Sequence, residues 1–347
     1  MCSSDDTKVL IDPFVTTNPI KIKIAGDVKT AKDLVKQGYC PVECSFGKDS
    51  VVDDLKMDHH GTFSDLEGVA IRAYRDHYGA RAVKPWFVVT GTPDEDATFA
   101  IASLAGKIPH PSLAEKFVDS SLKQVWCQNY LHVAEIINKA DINPKGINLL
   151  DDYWGKLIVF WRETTNMTIR DVSSFHAGVV RWRDILTTPQ DKLIQIVPSV
   201  VESSLEVIRA APFREISPKV TVVDCSQWGF SYTYAEEWHK KSPIVLAFYG
   251  ATYGEGFVTF SAKNKATATR LFGENGFLNV YDKLKKAGFE GCGGREDIGG
   301  SNRDHPMRYE DAIKLGEELD KLIQISKPKE VEKPKKKAPK KKAPKKK

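Results

Sequence analysis

The sequence predicts an α/β protein, on three observations. Short apolar or alternating segments that read as strands recur between segments of helical spacing. The pattern occurs twice, over about 18–110 and again over 218–326, with a strand-poor stretch between. A glycine-rich segment, Gly291 to Arg303, lies between two helical patterns near the end.

Ile20-Lys21-Ile22-Lys23-Ile24 alternates strictly and predicts a strand. Thr30–Gln37 predicts a helix stopped by Gly38, and Pro41–Phe46 a second strand. Leu55-Lys56-Met57 reads as a short strand running into Asp58-His59-His60-Gly61. A helix is expected over Leu66–Tyr78, a strand over Trp86–Val89 and a helix over Asp94–Ala105. Residues 112–214 carry helical spacing, with apolar faces such as Trp154/Leu157/Phe160/Trp161 and Val179/Val180/Trp182/Ile185. Strands are expected at Val220–Val223, Pro243–Phe248 and Phe257–Ser261, and helices at Tyr234–His239, Val280–Lys286 and Tyr309–Ile325.

The chain has 347 residues, 41% of them hydrophobic, enough for two ordinary domains. No apolar run reaches the roughly 18–20 residues of a membrane span, and the first residues lack a signal-peptide pattern. A cytoplasmic protein with no membrane partner is the expectation. The six cysteines are scattered, as expected of reduced thiols. The net charge of +5 is uneven: residues 327–347 hold twelve lysines against two glutamates, so the other 326 residues carry about −5. That Lys-Ala-Pro segment is expected to be disordered. It suits either sequence-independent nucleic-acid contact or a purely solubilising role.

Asp58, His59 and His60 gather hard oxygen and imidazole ligands in one place, a set that suits manganese, magnesium, iron or zinc. A polar surface loop has the same composition. Asp94 and Asp96, one residue apart after a strand, could flank a metal pair. Thr92-x-x-Glu95 equally reads as a helix capping box. The 291–303 loop can bring backbone N–H groups and two arginines to an anion, or serve as a flexible surface turn. Cys44 reads as a buried strand cysteine, His176 as a structural histidine, and His110 as a loop residue.

Together these segments resemble the DHH phosphoesterase superfamily with a C-terminal DHHA1 domain. Asp58-His59-His60 matches its name-giving motif, Pro93-Asp94-Glu95-Asp96-Ala97 its N-P-D-x-D-A segment, and Gly293–Gly300 its G-G-H-x-x-A-A-G loop. Ser261-Ala262-Lys263 sits where the family often has S-x-R. The resemblance implies an irregular segment over 1–17, a DHH-like parallel-sheet domain over 18–140, a helical connection over 141–215, and a DHHA1-like domain over 216–326. It implies a metal-dependent phosphoesterase acting on a small nucleotide or short oligonucleotide at an interdomain cleft, with two manganese or magnesium ions. By that resemblance His59, Asp94, Asp96 and Asp27 are metal ligands, and Asp58 and His60 are catalytic. Lys263, Gly293, Gly294, Arg295, Gly299, Gly300, Ser301 and Arg303 hold the substrate. Asp53 and Asp54 are further candidates, beside Asp27, for a bridging carboxylate. A homodimer is compatible with this reading. The sequence departs from the pattern at three points: Pro93–Ala97 follows Asp58–His60 instead of preceding it, Thr90 replaces a histidine ligand, and Arg295 replaces the loop histidine. The order implies a rearranged domain. A non-catalytic nucleotide- or nucleic-acid-binding protein on the same scaffold is the alternative.

Overall fold

Alternation along the strand at Trp86–Val89 organises the first half of the chain. In the computed structural model this strand, β5, lies between β1 (Lys21–Ile24) and β2 (Cys40–Pro41), all parallel, with Ile22 opposite Phe87 and Cys40 opposite Phe87 on the other side. Successive side chains face opposite ways. Phe87 and Val89 enter the main core, whereas Val88 packs with Ala31 and Leu34 of helix α1 (Val28–Lys36). Both faces are thus covered, as parallel sheets require. A small hairpin, β3 (Ser45–Phe46) and β4 (Asp49–Ser50), follows β2.

The structure describes residues 18–325 except 65, 113–119, 143–146, 148, 166–168, 189, 227–234, 253 and 303–304. Arg303, Tyr234, residues 1–17 and the Lys-rich segment 327–347 therefore lie outside the described residues.

Helices α2 (Val69–Arg75) and α3 (Glu95–Leu104) flank β5, and α3 is buried along its whole length. Around them pack α4 (Ser120–Ile142), α5 (Tyr153–Glu163), α6 (Val172–Thr187) and α7 (Gln190–Arg209). Trp161 and Trp182 stack with centroids 5.2 Å apart, and both are fully buried. Their indole N–H groups donate to Gly178 O and Thr98 Oγ1, so neither polar atom is stranded. The helical stretch shares one core with α2 and α3.

The second sheet runs β10 (Gly293–Gly294), β11 (Ile298–Gly300), β9 (Glu255–Ala262), β8 (Ile244–Thr252), β7 (Val220–Cys225), β6 (Phe213–Ser217), with β12 (Met307–Arg308) also beside β9. Only β7 and β8 are parallel; the other pairs are antiparallel. Alternation again sorts the faces. Val220, Val222, Ile244, Leu246 and Phe248 face the cluster formed with α9 (Lys265–Phe272), α10 (Tyr281–Lys286) and α11 (Tyr309–Ile325). Val223, Cys225, Val245 and Ala247 face the main core, which Trp238 of the short helix α8 (Ala235–His239) also joins.

The α/β class stands. Two expected strands do not form as read. Pro41–Phe46 breaks at Glu43, whose φ of +47° takes the chain out of extended geometry. Leu55–Met57 is a loop, with Lys56 at φ +51°. No helix among the described residues is long and apolar enough to cross a membrane. Cys40, Cys44, Cys225 and Cys292 are free thiols, and burial pushes Cys44 up to about 12, which leaves it unreactive as a nucleophile.

Candidate metal centre

The C-terminal ends of parallel strands are where α/β sheets place their ligand sites. Here β5 ends into Thr90–Asp96 and β2 ends into Glu43. Asp94 is the N-cap of α3 and accepts the Ala97 N–H through Oδ1 at 2.9 Å. Thr92 is not the cap, and Glu95 does not close a capping box; it turns inward to pair with Arg162. Asp96 points across to α2, where its two oxygens accept from Val69 N at 2.9 Å and Ala70 N at 2.8 Å. Gly68, just before α2, permits this approach: a Cβ there would stand 2.9 Å from Asn138 Oδ1 and 3.2 Å from Asp96 Oδ1.

His59 is the hub. Its Nε2 lies 3.0 Å from Glu43 Oε1, 3.0 Å from Asp141 Oδ2 and 3.6 Å from Asp96 Oδ2. One ligand atom from each of His59, Asp96 and Asp141 lies within 4.8 Å of the others, and Glu43, His59 and His60 form a second such group. The neighbouring His60 ring is held by Asp58, whose Oδ1 lies 2.9 Å from Nδ1 and also accepts the His60 backbone N–H. That contact orients the ring and leaves Nε2 as its other polar atom.

The electrostatics of the cluster are those of buried, crowded acids around one imidazole. Burial, reinforced by the Asp94, Asp96 and Asp141 charges, pushes Glu43 well above the ordinary carboxylate range. Burial likewise raises Asp94 to about 7 and Asp96 to about 6, with the charge of Asp141 adding to both. Burial works against a charged His59, but hydrogen bonding and attraction to Asp141 and Glu43 outweigh it and raise its pKa to about 11. One imidazolium thus stands among crowded carboxylates. One buried carboxylate oxygen, Asp58 Oδ2, has no hydrogen-bond partner, and Asp141 Oδ2 is held by its 3.0 Å ion pair with His59. A buried oxygen without a partner, beside imidazole and several carboxylates, belongs to the donor set hard or borderline divalent cations take. The residues fit a divalent metal.

Two members of this cluster carry no motif in the sequence. Glu43 was read as part of a strand, and Asp141 closes a helix of 23 residues. Thr90, where the resemblance puts a histidine, donates its hydroxyl toward Glu43 O at 3.0 Å and Ser45 O at 3.1 Å. It therefore holds the unusual Glu43 backbone in place. Asp27, by contrast, is an exposed N-cap of α1, with both oxygens bonded to Thr30 and its pKa lowered by those bonds. The structure does not bring it into the cluster. Asp53 pairs with Arg81 at 2.5 Å, and Asp54 lies on the surface near the same arginine.

The glycine segment forms a hairpin, Gly293 opposite Gly300 and Gly294 opposite Gly299. Its glycines have packing reasons. Gly294 has φ +149°, and a Cβ on Gly299 would stand 2.5 Å from the Phe260 ring and 2.6 Å from the Tyr281 hydroxyl. Ser301 is buried and structural: it donates its N–H to Val258 O and accepts the Val258 N–H on Oγ. Lys263, just after β9, is exposed. Arg295 is exposed at the hairpin end and donates Nη1 to Ile142 O, beside Asp141. This contact brings the hairpin against the end of α4 that carries a member of the cluster.

No family model matches the sequence, and no curated protein matches it. Among solved structures the chain is similar to a pGpG-specific phosphodiesterase, PggH, from Vibrio cholerae. The identity is 13%, over 65% of this chain and 75% of that chain, with a TM-score of 0.38. It is also similar to an uncharacterized protein from Helicobacter pylori G27. There the identity is 12%, over 91% of this chain and 88% of that chain, with a TM-score of 0.22. Likenesses at this level assign no role to any residue; those rest on the geometry above.

Proposed function

We propose that this protein is a divalent-metal-dependent phosphoester hydrolase acting on a small nucleotide or short oligonucleotide. One observation carries the reading: carboxylates of Glu43, Asp96 and Asp141 converge on His59 Nε2, with Asp58 Oδ2 buried and without a hydrogen-bond partner nearby. Those residues, with Asp94, would hold the metal, manganese or magnesium by ligand type. Bound there, such ions supply charge neutralisation and an activated water for phosphoryl chemistry.

The chain's own groups then divide the remaining work. Asp58 fixes the His60 ring through Nδ1, so His60 offers Nε2 to a phosphoryl oxygen from a half-exposed position. Arg295 sits within reach of the α4 end and is suited to pair with a substrate phosphate from the second sheet. Its guanidinium would leave the Ile142 carbonyl as it does so. Asp96 is buried and Asp94 half-buried, so both would meet a cation in a medium of low polarity, which strengthens their hold on it.

The test is turnover of a panel containing a dinucleotide, a cyclic dinucleotide, short RNA and a nucleoside bisphosphate, with manganese or magnesium and with chelator. The expected result is metal-dependent hydrolysis of at least one. Arg295→Ala should then raise KM about 10-fold or more, the loss of one charge-assisted phosphate contact of roughly 1.5–3 kcal/mol. Tight binding of a panel member with no turnover under any metal would instead support the non-catalytic alternative.

A further inference from the structure

Arg72 has an unusual set of partners. Its Nε donates to Glu67 O at 2.8 Å, Nη1 to Lys56 O at 2.7 Å, and Nη2 to Asp58 O at 2.8 Å. A guanidinium normally seeks carboxylates, and Asp58 and Asp96 are near enough for their charges to act on it. Yet the three hydrogen bonds of this part-buried side chain to described residues all go to backbone carbonyls.

Two of those carbonyls, of Lys56 and Asp58, belong to a segment outside the sheets. Lys56 has φ +51°, and the Asp58 N–H folds back onto Lys56 O at 2.8 Å, so residues 56–58 make a tight turn. Apart from bonds within the segment's own neighbourhood in sequence, such as Lys56 N–H to Asp53 O and His60 N–H to Asp58 Oδ1, it is reached by Glu43 N–H to Met57 O and Ser50 Oγ to His60 O. Arg72 ties the carbonyls at both ends of the turn to α2. Directly after that turn come His59 and His60.

The other end of α2 is fixed by the second half of the cluster. Val69 N and Ala70 N are held by the Asp96 carboxylate, and Gly68 N by Asn138 Oδ1, on the helix that also carries Asp141. Helix α2 is thus a rigid strut less than two turns long. Asp96 and Asn138 grip its start, and Arg72, three residues after Val69, grips the Asp58–His60 turn.

The geometry points to Arg72 as a positioning residue that sets the spacing between Asp96 and the Asp58-His59-His60 segment. It does so by clamping the 56–58 turn to α2. The inference rests on the metal reading of this cluster. It concerns a residue that touches neither the cluster's ligand atoms nor any substrate, and it acts through backbone alone. The fork geometry matters, because two carbonyls 56 and 58 are bridged by one planar group; a lysine ammonium can satisfy one of them well but not both.

Manganese binding by calorimetry, with thermal unfolding of the metal-free protein, tests this with the full chain. Arg72→Met should bind manganese about 10–100-fold more weakly than the parent, as loss of outer-shell supports does. Arg72→Lys should fall between the two. Arg75→Ala should bind like the parent: Arg75 is on the same helix, but its side chain pairs with Glu67 and Asp76 at the surface. Affinity of Arg72→Met within twofold of the parent overturns the proposal, even if its melting temperature falls, because that pattern marks a merely structural arginine. If Arg72→Met does not fold, Arg72→Lys decides by the same twofold criterion. If the parent protein itself binds no manganese, the metal reading fails and takes this proposal with it, a result distinct from a binding parent with unaffected variants.

Discussion

His59→Ala is expected to abolish metal-dependent turnover and to weaken manganese binding by at least about 100-fold, the upper range for loss of supporting groups alone. The reason is central placement. His59 Nε2 lies within 3.6 Å of Glu43, Asp96 and Asp141 together. Its side chain is 7% exposed, so these contacts are shielded from bulk water. A second effect follows in the metal-free protein. The imidazolium is the cation among these buried carboxylates, and removing one partner of a buried charge pair costs about 3–5 kcal/mol. The raised pKa of Glu43 shows that the carboxylates can take up protons instead, which puts the expected loss at the lower end of that range at neutral pH. Calorimetric titration and thermal unfolding check both effects. Unchanged manganese affinity in His59→Ala would remove the hub from the site.

The second large effect is a metal stabilisation that grows with pH. Asp96 and Asp94 hold their protons to about 6 and 7 because they are buried and crowded by Asp141. In the unfolded chain they release them near about 4. The native state therefore binds more protons across that interval, and metal-free stability falls as pH rises from about 4 through about 7. His59 adds to the same trend. Its contribution is complete below about 6.5 and is lost as pH climbs through about 11. A divalent cation takes the place of these protons, so it must displace them in order to bind. At pH 5.5 the competition favours protons, and at pH 8 it favours metal. With manganese at about 100 times its dissociation constant at pH 8, stabilisation is about 2.7 kcal/mol. For a chain of this size that is a rise of about 4 °C in Tm. At pH 5.5 the same manganese concentration should move Tm by less than about 1 °C, a shift of well under 1 kcal/mol. Equal shifts at the two pH values would show that the ion binds elsewhere.

The regular elements were legible wherever period and burial agreed. The Ile20–Ile24 alternation became β1, Trp86–Val89 became β5, and Tyr309–Ile325 became α11 with the same bounds. β1 and α11 each carry an apolar face of one period, and β5 is a short apolar run of β-forming residues, buried on both faces of a parallel sheet. Strand β6 and helix α9 were not foreseen. Phe213–Ser217 is largely exposed and lacks alternation, and Lys265–Phe272 is polar with two threonines, so neither announces itself.

The site was half legible. Asp58, His59, His60, Asp94 and Asp96 stood out because polar groups with metal-ligand chemistry follow strand-like segments closely. Glu43 did not, because its placement depends on a left-handed backbone turn stabilised from Thr90, 47 residues away. Asp141 did not, because a single acid at a helix end has no local signature. The expectation for Asp27 failed for a local reason. A carboxylate three residues before a threonine at a helix start is captured by the cap before any distant group can use it. The glycine loop shows the converse: Gly294 and Gly299 are required by their backbone and by the Phe260 and Tyr281 side chains, and the loop's reach toward the cluster depends on Arg295.

Anomalous diffraction from crystals grown with manganese tests the metal centre most directly. One or two peaks should lie within about 2.0–2.6 Å of His59 Nε2 and of oxygens from Glu43, Asp94, Asp96 or Asp141. Asp141 Oδ2 should have turned from its present contact with His59 onto an ion. Diffraction with no peak there, and with His59 still bonded to Glu43 and flanked by Asp141, would contradict a metal centre at this cluster.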